Sequence, residues 1–338
     1  MTQWLVQTGR DLALTAIVGL GIPNLLRPRG QPSVSALLFH RFFDPGERRH
    51  CGVERLRRQL EWLRANYTPI SLPQFIDGLR SGVLPDRAVL VTADDGRVDL
   101  LDVFEEFRAF EVPLAVFVCA GWTASASKGN SADLVARAAV AIQWHEQADI
   151  EVRLGHDRVF ALSQANKAQN IDRLIAERDE LAPDLEELCQ RVEAMVDAAP
   201  QCCTWSDLQG LLAAGVSIGA HSVTHVRMST ASAIRRRFEI AESKRLCELM
   251  LGPCRTFAYP YGTPETQTEA TRVDLESAGY AAAFLTHSEF ITAKSDVFAL
   301  PRIAMPDLSI SLREFKARAG GAGIALRRLK ALVAHMRP

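Results

Sequence analysis

The chain has 338 residues, of which 48% are apolar, and a formal net charge of −1. This length and apolar content suffice for a sizeable core, in one large α/β domain or in a domain with a big insertion. Because positive and negative charges nearly balance, the composition argues against a basic face for nucleic acid or an anionic membrane.

Residues 12–26 form an apolar stretch that Gly19, Gly21 and Pro23 interrupt. The stretch is too short to span a bilayer. No cationic segment with a small-residue cleavage site marks it as a signal peptide. We therefore expect a packed or surface-lying helix within an N-terminal helical segment, residues 1–33.

Short apolar runs rich in β-branched residues predict strands at 34–39, 88–93, 112–118, 216–219, 256–259 and 280–285. Their lack of alternation is typical of strands buried on both faces. Helical patterns lie between them at 53–67, 100–110 and 229–251. Thr204, followed by Asp207, predicts the capped start of a further helix. The alternation of strands and helices predicts a parallel sheet, open or closed into a barrel.

Residues 124–203 interrupt this alternation and predict a mainly helical insertion in a loop. Helices are expected at 131–142, 166–181 and 183–198, and a hairpin at 149–154 and 158–162. Pro183 suits a first helical turn. The insertion either covers the central domain or shapes a substrate groove, and the sequence leaves both roles open.

The C-terminal segment, residues 307–338, ends in a basic helical pattern at 324–335. This pattern predicts a terminal helix docked on the protein, and contact with a membrane surface is the alternative. The predicted organisation is therefore an N-terminal segment at 1–33, a central domain at 34–306 that includes the insertion, and a helical tail at 307–338.

The chain contains seven cysteines. Their number is odd and their spacing shows no paired framework, so a reducing compartment is the simpler interpretation. Cys202 and Cys203 are adjacent, which suits neither a normal disulfide nor a zinc knuckle. A thiolate metal site is disfavoured because the sequence lacks two Cys-x2-Cys pairs.

Asp94, Asp95 and Gly96 directly follow the predicted strand at 88–93. In parallel α/β folds, chemistry lies beyond the carboxyl ends of the strands. Adjacent carboxylates push their pKa values apart unless a cation intervenes. We therefore expect one carboxylate to bind a metal and the other to act as a base; an ordinary turn is the alternative.

His221 and His225 follow the predicted strand at 216–219. Two histidines four residues apart can converge on one cation with a carboxylate oxygen, a donor set that suits zinc, cobalt or nickel. Three protein ligands leave positions for water and substrate, as in catalytic sites. An arbitrary pair of histidines at this spacing usually has a surface or helix-capping role. Here the Asp pair and the histidine pair both follow predicted strands, which favours a metal site.

Other candidates also lie near strand ends. Tyr261 lies between Pro260 and Gly262 in a sharp turn whose backbone N–H can hold an oxyanion, although its aromatic neighbours suit a core equally. His287 is a candidate general acid, or a histidine in a partly exposed loop. His40 ends the first predicted strand and would face the same rim of the sheet as the other candidates. Arg302 is a candidate to orient a carboxylate. The remaining histidines are predicted to be surface residues: His50, His145, His156 and His335.

In this order, the motifs resemble the polysaccharide deacetylase family, carbohydrate esterase family four. Residues 92–96 are similar to the family's Thr-Phe-Asp-Asp-Gly, and residues 221–225 match its His-Ser/Thr-x-x-His. Residues 257–262 resemble its later Pro-Tyr motif, in the variant of bacterial envelope-sugar deacetylases. Further similarities are Phe39-His40-Arg41, Glu239-Ile240, Ser243-Lys244 and Leu285-Thr286-His287. The resemblance covers residues 34–123 and 204–306.

The resemblance implies a distorted (β/α)7 barrel with the mainly helical insertion. It implies that Asp94 is the general base and that the backbone N–H of Tyr261 completes an oxyanion hole. It also implies the metal ligands, which are Asp95, His221 and His225.

Two positions depart from the family pattern. Ala93 replaces the usual Phe before the Asp pair, a packing change that we expect to be tolerated. Ala258 occupies the place of an Arg that orients the base in many relatives. We hypothesise that Arg302 takes over that role.

The resemblance implies a metal-dependent hydrolase that removes N-acetyl groups from an amino-sugar polysaccharide or glycan precursor and releases acetate. Zinc is the expected metal, with cobalt or nickel as alternatives. Two competing interpretations are a hydrolase of another non-peptide C–N amide bond and a non-catalytic carbohydrate-binding module. The second predicts that some of the metal-ligand residues are missing from the sequence. The expected partner is an N-acetylated carbohydrate, and no protein partner is inferred. The expected location is cytoplasmic, and peripheral contact at the inner membrane face through the terminal helices is an alternative that stays open.

Overall fold

The computed structural model describes residues 33–44, 46–128, 133–145, 150–154, 158–162, 164–196, 201–306, 310–325 and 327–328. Some predictions lie outside these residues: nearly all of segment 1–33, the hairpin turn with His156, and the C-terminal helix beyond residue 328 with His335. None of the described helices is long and apolar enough to cross a membrane.

The described strands are β1 (Ser33–Phe39), β2 (Thr68–Pro69), β3 (Ala88–Ala93), β4 (Leu114–Val118), β5 (Ile150–Leu154), β6 (Arg158–Leu162), β7 (Ser217–Ala220), β8 (Thr256–Ala258), β9 (Ala282–Phe284), β10 (Ile291–Thr292) and β11 (Ile303–Ala304). The described α-helices are α1 (Arg49–Asn66), α2 (Leu72–Ser81), α3 (Phe104–Ala109), α4 (Ala120–Ser127), α5 (Leu134–Trp144), α6 (Lys167–Ala176), α7 (Arg178–Leu181), α8 (Leu185–Glu193), α9 (Trp205–Ala213), α10 (Ala233–Leu251), α11 (Glu269–Ser277) and α12 (Leu312–Ala319).

The chain divides into two compact units. The first comprises Met1–Ala93, Asp99–Ala115 and Phe284–Pro338, and the second comprises Asp94–Val98 and Val116–Ala283. The predicted boundaries near residues 33 and 306 stay predictions.

Strands β1 and β3 form the centre of the first unit. Both strands are buried at every residue and pair in parallel, with Val34 opposite Ala88 and Phe39 opposite Ala93. Strand β10 is antiparallel to β1, and β11 is parallel to it. The unbroken apolar runs therefore correspond to strands buried on both faces, as the sequence predicts.

Strands β4, β7, β8 and β9 are neighbours in that order, and most of their residues belong to the second unit. Strands β7 and β8 are parallel, with Ala220 opposite Phe257. Helix α9 starts after Thr204, whose side chain accepts a hydrogen bond from the backbone N–H of Asp207, while the Asp207 carboxylate accepts one from the Thr204 N–H. This reciprocal cap is the predicted one.

The insertion is mainly helical, and β5 and β6 form its antiparallel hairpin. The predicted helix at 166–181 consists of two helices, α6 and α7. Pro183 lies in the turn before α8, not in its first turn. The buried face of α8 consists of Leu185, Leu188, Cys189 and Val192.

The prediction that His145 is a surface residue is wrong. Its exposed fraction is 0%. It directly follows α5, in which every residue from Ala136 to Ile142 is buried. The predicted helix at 100–110 is also shorter, since a 3-10 turn (Val98–Asp102) precedes α3. His50 is exposed, as predicted.

Candidate active site

Asp94 and Asp95 follow the last residue of β3 but point into different surroundings. The Asp94 residue is buried, whereas the Asp95 side chain keeps partial solvent access. Asp95 adopts φ 73° and Gly96 φ 66°. A Cβ at Gly96 would lie 2.9 Å from Cγ1 of Val118, so both conformation and space require glycine there. The chain therefore turns sharply at the second carboxylate.

His221 directly follows β7 and is fixed at both its backbone and its ring. Its backbone N–H donates to the Val118 carbonyl at 2.8 Å, and its Nδ1 lies 2.8 Å from the Ala258 carbonyl oxygen. A carbonyl oxygen only accepts, so Nδ1 carries the proton. The Nε2 lone pair of His221 is then available to a cation.

Both predicted histidine ligands converge on one oxygen of the predicted carboxylate ligand, Asp95. Nε2 of His221 and Nε2 of His225 each lie 3.6 Å from Oδ1 of Asp95. That oxygen is buried and has no hydrogen-bond partner among the described residues. Asp94 lies slightly farther, with Oδ2 3.9 Å from Nε2 of His221. The structure therefore brings all four central residues of the sequence prediction together.

The donor set fits a divalent metal. Donor atoms on a tetrahedral zinc at ordinary bond lengths are roughly 3.4 Å apart, close to the separation of Asp95 Oδ1 from each imidazole. A buried carboxylate oxygen without a hydrogen-bond donor is costly unless a cation satisfies it. Asp95, His221 and His225 therefore suit a metal with open positions for water and substrate.

Cys119 is a competing donor that the sequence does not indicate. Its sulfur belongs to a cluster with Asp95 and His221 in which one donor atom of each residue lies within 4.8 Å of the others. Burial, with the nearby Asp95 carboxylate, raises the pKa of the Cys119 thiol well above its ordinary value. The thiol also donates to the His221 carbonyl at 3.3 Å. The thiol hydrogen of Cys119 is thus engaged by a carbonyl, and His225 stays the predicted third ligand.

Aromatic side chains surround His225. Its ring stacks on Trp122 at 5.3 Å and meets the ring of Tyr261 edge-on at 4.9 Å. Tyr261 is 51% exposed, and the guanidinium of Arg227 lies 4.4 Å over its ring. Trp122 is absent from the predicted site, although its position just after a predicted strand is the same signal that indicated the other candidates.

The turn predicted around Tyr261 is present. Tyr261 adopts φ 64° and Gly262 φ 52°, so the backbone reverses sharply after β8. The role of the Tyr261 N–H as an oxyanion donor stays a prediction.

Arg302 and His287 lie in the first unit. The side chain of Arg302 is fully buried, where its Nε donates to the Leu285 carbonyl at 2.9 Å and its guanidinium to Thr92 Oγ1 at 3.2 Å. The backbone N–H of Arg302 donates to the His287 carbonyl at 3.1 Å. The predicted interaction of Arg302 with Asp94 stays a prediction.

His287 is partly exposed, and its Nδ1 has no hydrogen-bond partner among the described residues. Burial, assisted by the positive charge of Arg327, lowers the pKa of His287 below its ordinary value, while Glu289 acts in the opposite direction. Its role as general acid stays a prediction, and so does the alternative role of His40.

A family model described as polysaccharide deacetylase matches residues 81–283. The chain belongs to the polysaccharide deacetylase family. The matched range contains the Asp pair, both histidines and Tyr261, and the predicted enzyme class, a glycan N-deacetylase, is confirmed. Curated protein sequences give no match.

Solved structures with the same fold include the Streptococcus pyogenes deacetylase PplD in complex with acetate, at 15% identity and a TM-score of 0.54 over 82% of this chain and 94% of that one. The BpsB deacetylase domain from Bordetella bronchiseptica matches at 18% identity and a TM-score of 0.52, over 82% and 97% of the two chains. IcaB from Ammonifex degensii matches at 17% identity and a TM-score of 0.51, over 86% of this chain and 97% of IcaB. These likenesses confirm that this polysaccharide deacetylase has the predicted (β/α) barrel fold of the family.

Proposed function

We propose that this polysaccharide deacetylase hydrolyses the N-acetyl group of an amino sugar in a metal-dependent reaction, and that Asp95, His221 and His225 hold the metal. The observation that carries the proposal is the convergence of two imidazole nitrogens, each at 3.6 Å, on a buried Asp95 oxygen that has no hydrogen-bond donor among the described residues. Nitrogen and carboxylate donors favour zinc, with cobalt or nickel as alternatives.

A divalent metal at this position supplies a Lewis acid that polarises the acetyl carbonyl and lowers the pKa of water. Asp94 accepts a proton from the attacking water, whose oxygen forms a bond to the carbonyl carbon. The backbone N–H of Tyr261 donates to the developing oxyanion. His287, or alternatively His40, protonates the nitrogen as the C–N bond breaks, which leaves acetate and a free amine.

Electrostatics support different roles for the two carboxylates. Asp95 faces both imidazoles through Oδ1, as a metal ligand would. Asp94 is buried, and its Oδ2 lies 3.9 Å from His221 Nε2, beyond the 3.6 Å of Asp95. A carboxylate next to the proposed ligands, but outside the ligand set, would be placed to accept a proton from the attacking water.

The surroundings of Arg302 support its proposed role in orienting Asp94. Its guanidinium donates to Thr92, which stands two residues before Asp94 on the same segment of chain. Thr92 Oγ1 in turn donates to the Leu37 carbonyl at 2.9 Å, so the end of β3 is fixed. A buried guanidinium requires a counter-charge, and a carboxylate serves best.

An N-acetylated glycan fits the aromatic surroundings of the cluster. The exposed ring of Tyr261 lies beside His225, and flat apolar faces with polar edges suit sugar rings. PplD is a deacetylase solved with acetate, which is the product proposed for this chain.

The test is acetate release from a panel of N-acetylated glycans by the purified protein. Release should stop with a chelator, return after addition of zinc, and fail in Asp94→Asn with zinc bound. Release that survives complete removal of metal would contradict the metal-dependent reaction. No release from any glycan, with retained glycan binding, would favour the carbohydrate-binding module.

A further inference from the structure

The loop that carries the metal ligand His225 is held in a strained conformation. Ser222 and His225 have φ values of 68° and 61°. Left-handed backbone at residues other than glycine costs about 1–3 kcal/mol each and persists only where the surroundings impose it. The loop from Ser222 to His225 must therefore be held by its neighbours.

The polar backbone groups along this loop are satisfied from several directions. The carbonyls of Ser222 and Val223 accept hydrogen bonds from backbone N–H groups at the start of α4, Ala120 and Gly121, at 2.9 and 3.0 Å. The N–H of His225 donates to Ser222 Oγ at 3.0 Å. The N–H groups of Val223 and Thr224 and the Thr224 carbonyl receive their hydrogen bonds from two side chains outside the loop.

Glu239, on α10, accepts from both of these N–H groups. Its Oε2 lies 2.8 Å from the N of Val223 and 2.8 Å from the N of Thr224. Its other oxygen accepts from Thr224 Oγ1 and from Arg235 Nε, each at 2.6 Å. Glu239 has an exposed fraction of 0%, and Arg235 neutralises its charge. A carboxylate with four donors is a rigid anchor.

Gln143, near the end of α5, binds the Thr224 carbonyl. Its Nε2 donates to the Thr224 carbonyl at 2.9 Å, and its Oε1 accepts from Arg235 at 3.4 Å. The backbone carbonyl of Gln143 accepts from Lys167 Nζ at 3.2 Å, which ties the end of α5 to the start of α6. The insertion therefore contributes a direct contact to the loop between the two histidines.

We propose that Glu239 and Gln143 are positioning residues for the metal site, and that the helical insertion acts through Gln143 to hold His225 at its ligand position. This role differs from a cover for the barrel and from a wall of the substrate groove. The inference rests on the proposed function, because it concerns the geometry of the same metal site.

The test uses two variants and two matched controls. Gln143→Met keeps length and removes the bond to Thr224. Its control is Gln209→Met, since Gln209 Nε2 also donates to a carbonyl, that of Met250 at 3.0 Å, away from the loop. Glu239→Gln is compared with Glu242→Gln, a residue of the same helix that also pairs with an arginine, Arg245.

The measurements are zinc affinity by competition with a chelator, the absorption spectrum of the cobalt-substituted protein, and thermal unfolding without metal. Partners of metal ligands typically affect metal affinity by about 10–100-fold. We expect zinc affinity to fall by about 10-fold in Gln143→Met and by about 100-fold in Glu239→Gln. The cobalt spectra of both variants should also change. Both controls should match the wild type in affinity and spectrum.

The possible results separate this inference from the proposed function. A wild-type chain that binds no divalent metal would reject the metal-dependent function. A wild-type chain that binds zinc, together with a folded Gln143→Met variant of unchanged affinity and spectrum, would reject the positioning role alone. Equal losses in Gln143→Met and Gln209→Met would also reject it. If Glu239→Gln fails to fold, Gln143→Met decides.

Discussion

The Nδ1 atom of His221 lies 2.8 Å from the backbone carbonyl oxygen of Ala258, so a residue without a polar side chain fixes the tautomer of a proposed metal ligand. Ala258 is the position where the sequence departs from the family's Arg. Because its contribution comes from the backbone, the departure leaves the orientation of His221 intact. The family resemblance implies that the missing Arg would bear on Asp94, the role proposed for Arg302.

Loss of the imidazole donors should abolish metal binding. In the variant His221→Ala, His225→Ala, only the Asp95 carboxylate and the Cys119 sulfur of the cluster remain, which are too few donors for tight binding of zinc. Elemental analysis after dialysis should give stoichiometric metal for the wild type and none for the double variant. Stoichiometric zinc in the double variant would mean that the metal is bound elsewhere. Gln209→Met, which leaves the cluster intact, serves as the control.

Gly121→Ala should weaken both the fold and the metal site. An added Cβ would lie 2.6 Å from the carbonyl oxygen of Val223, in the loop that carries His225. Such overlap in a packed region costs about 1–3 kcal/mol. Gly210→Ala is the control, because a Cβ at this position of α9 meets nothing within 4 Å. Denaturant unfolding should show a loss for Gly121→Ala and none for Gly210→Ala; equal stabilities would contradict the close approach.

The sequence predicts much of the sheet because its strands are buried on both faces and read as unbroken apolar runs. Strand β3 has the predicted bounds, and β1 differs by one residue. The metal cluster was predictable because Asp95, His221 and His225 follow such runs. Helix α2 was missed although Ser71 and Gln74 form a reciprocal cap at its start. The anchoring of the loop by Gln143 was not predictable, since this contact joins residues 81 positions apart.

Arg302→Ala should impair turnover and alter its pH profile, if Arg302 orients Asp94 as proposed. The substitution also leaves the Leu285 carbonyl and Thr92 Oγ1 without their buried donor, at a cost of about 1–3 kcal/mol in the free energy of unfolding. Turnover, its pH dependence and denaturant unfolding should therefore be measured together. A destabilised variant with unchanged turnover and pH profile would restrict Arg302 to a structural role.

If His287 is the general acid, kcat/KM should fall as pH rises through the pKa of His287 in the free enzyme, below the ordinary histidine range. Arg327→Gln removes a positive charge that lowers this pKa, so it should move the decline to higher pH, and His287→Gln should abolish it. Arg328→Gln is the matched control, because Arg328 also pairs with Glu289 but does not contribute to the shift. A decline unchanged in His287→Gln would assign the acid to another group, with His40 next to be tested.

Asp133 should make stability depend on pH. Burial raises the pKa of Asp133 to about 6, from an ordinary 3.8, although Arg137 opposes this effect. Neither carboxyl oxygen has a hydrogen-bond partner among the described residues. The folded state therefore binds more protons than the unfolded state between these two values, and stability falls as pH rises through this window.

Asp133→Asn removes this titration. Relative to the wild type, the variant should gain stability between pH 4 and pH 7, by at most about 3 kcal/mol given roughly 1.4 kcal/mol per pKa unit. Because Arg137 lies 3.8 Å away and also binds Glu193, the gain should be smaller than this limit. Urea unfolding of both proteins across this pH range measures it. Parallel stability curves would show that Asp133 ionises in the folded protein as it does in the unfolded chain.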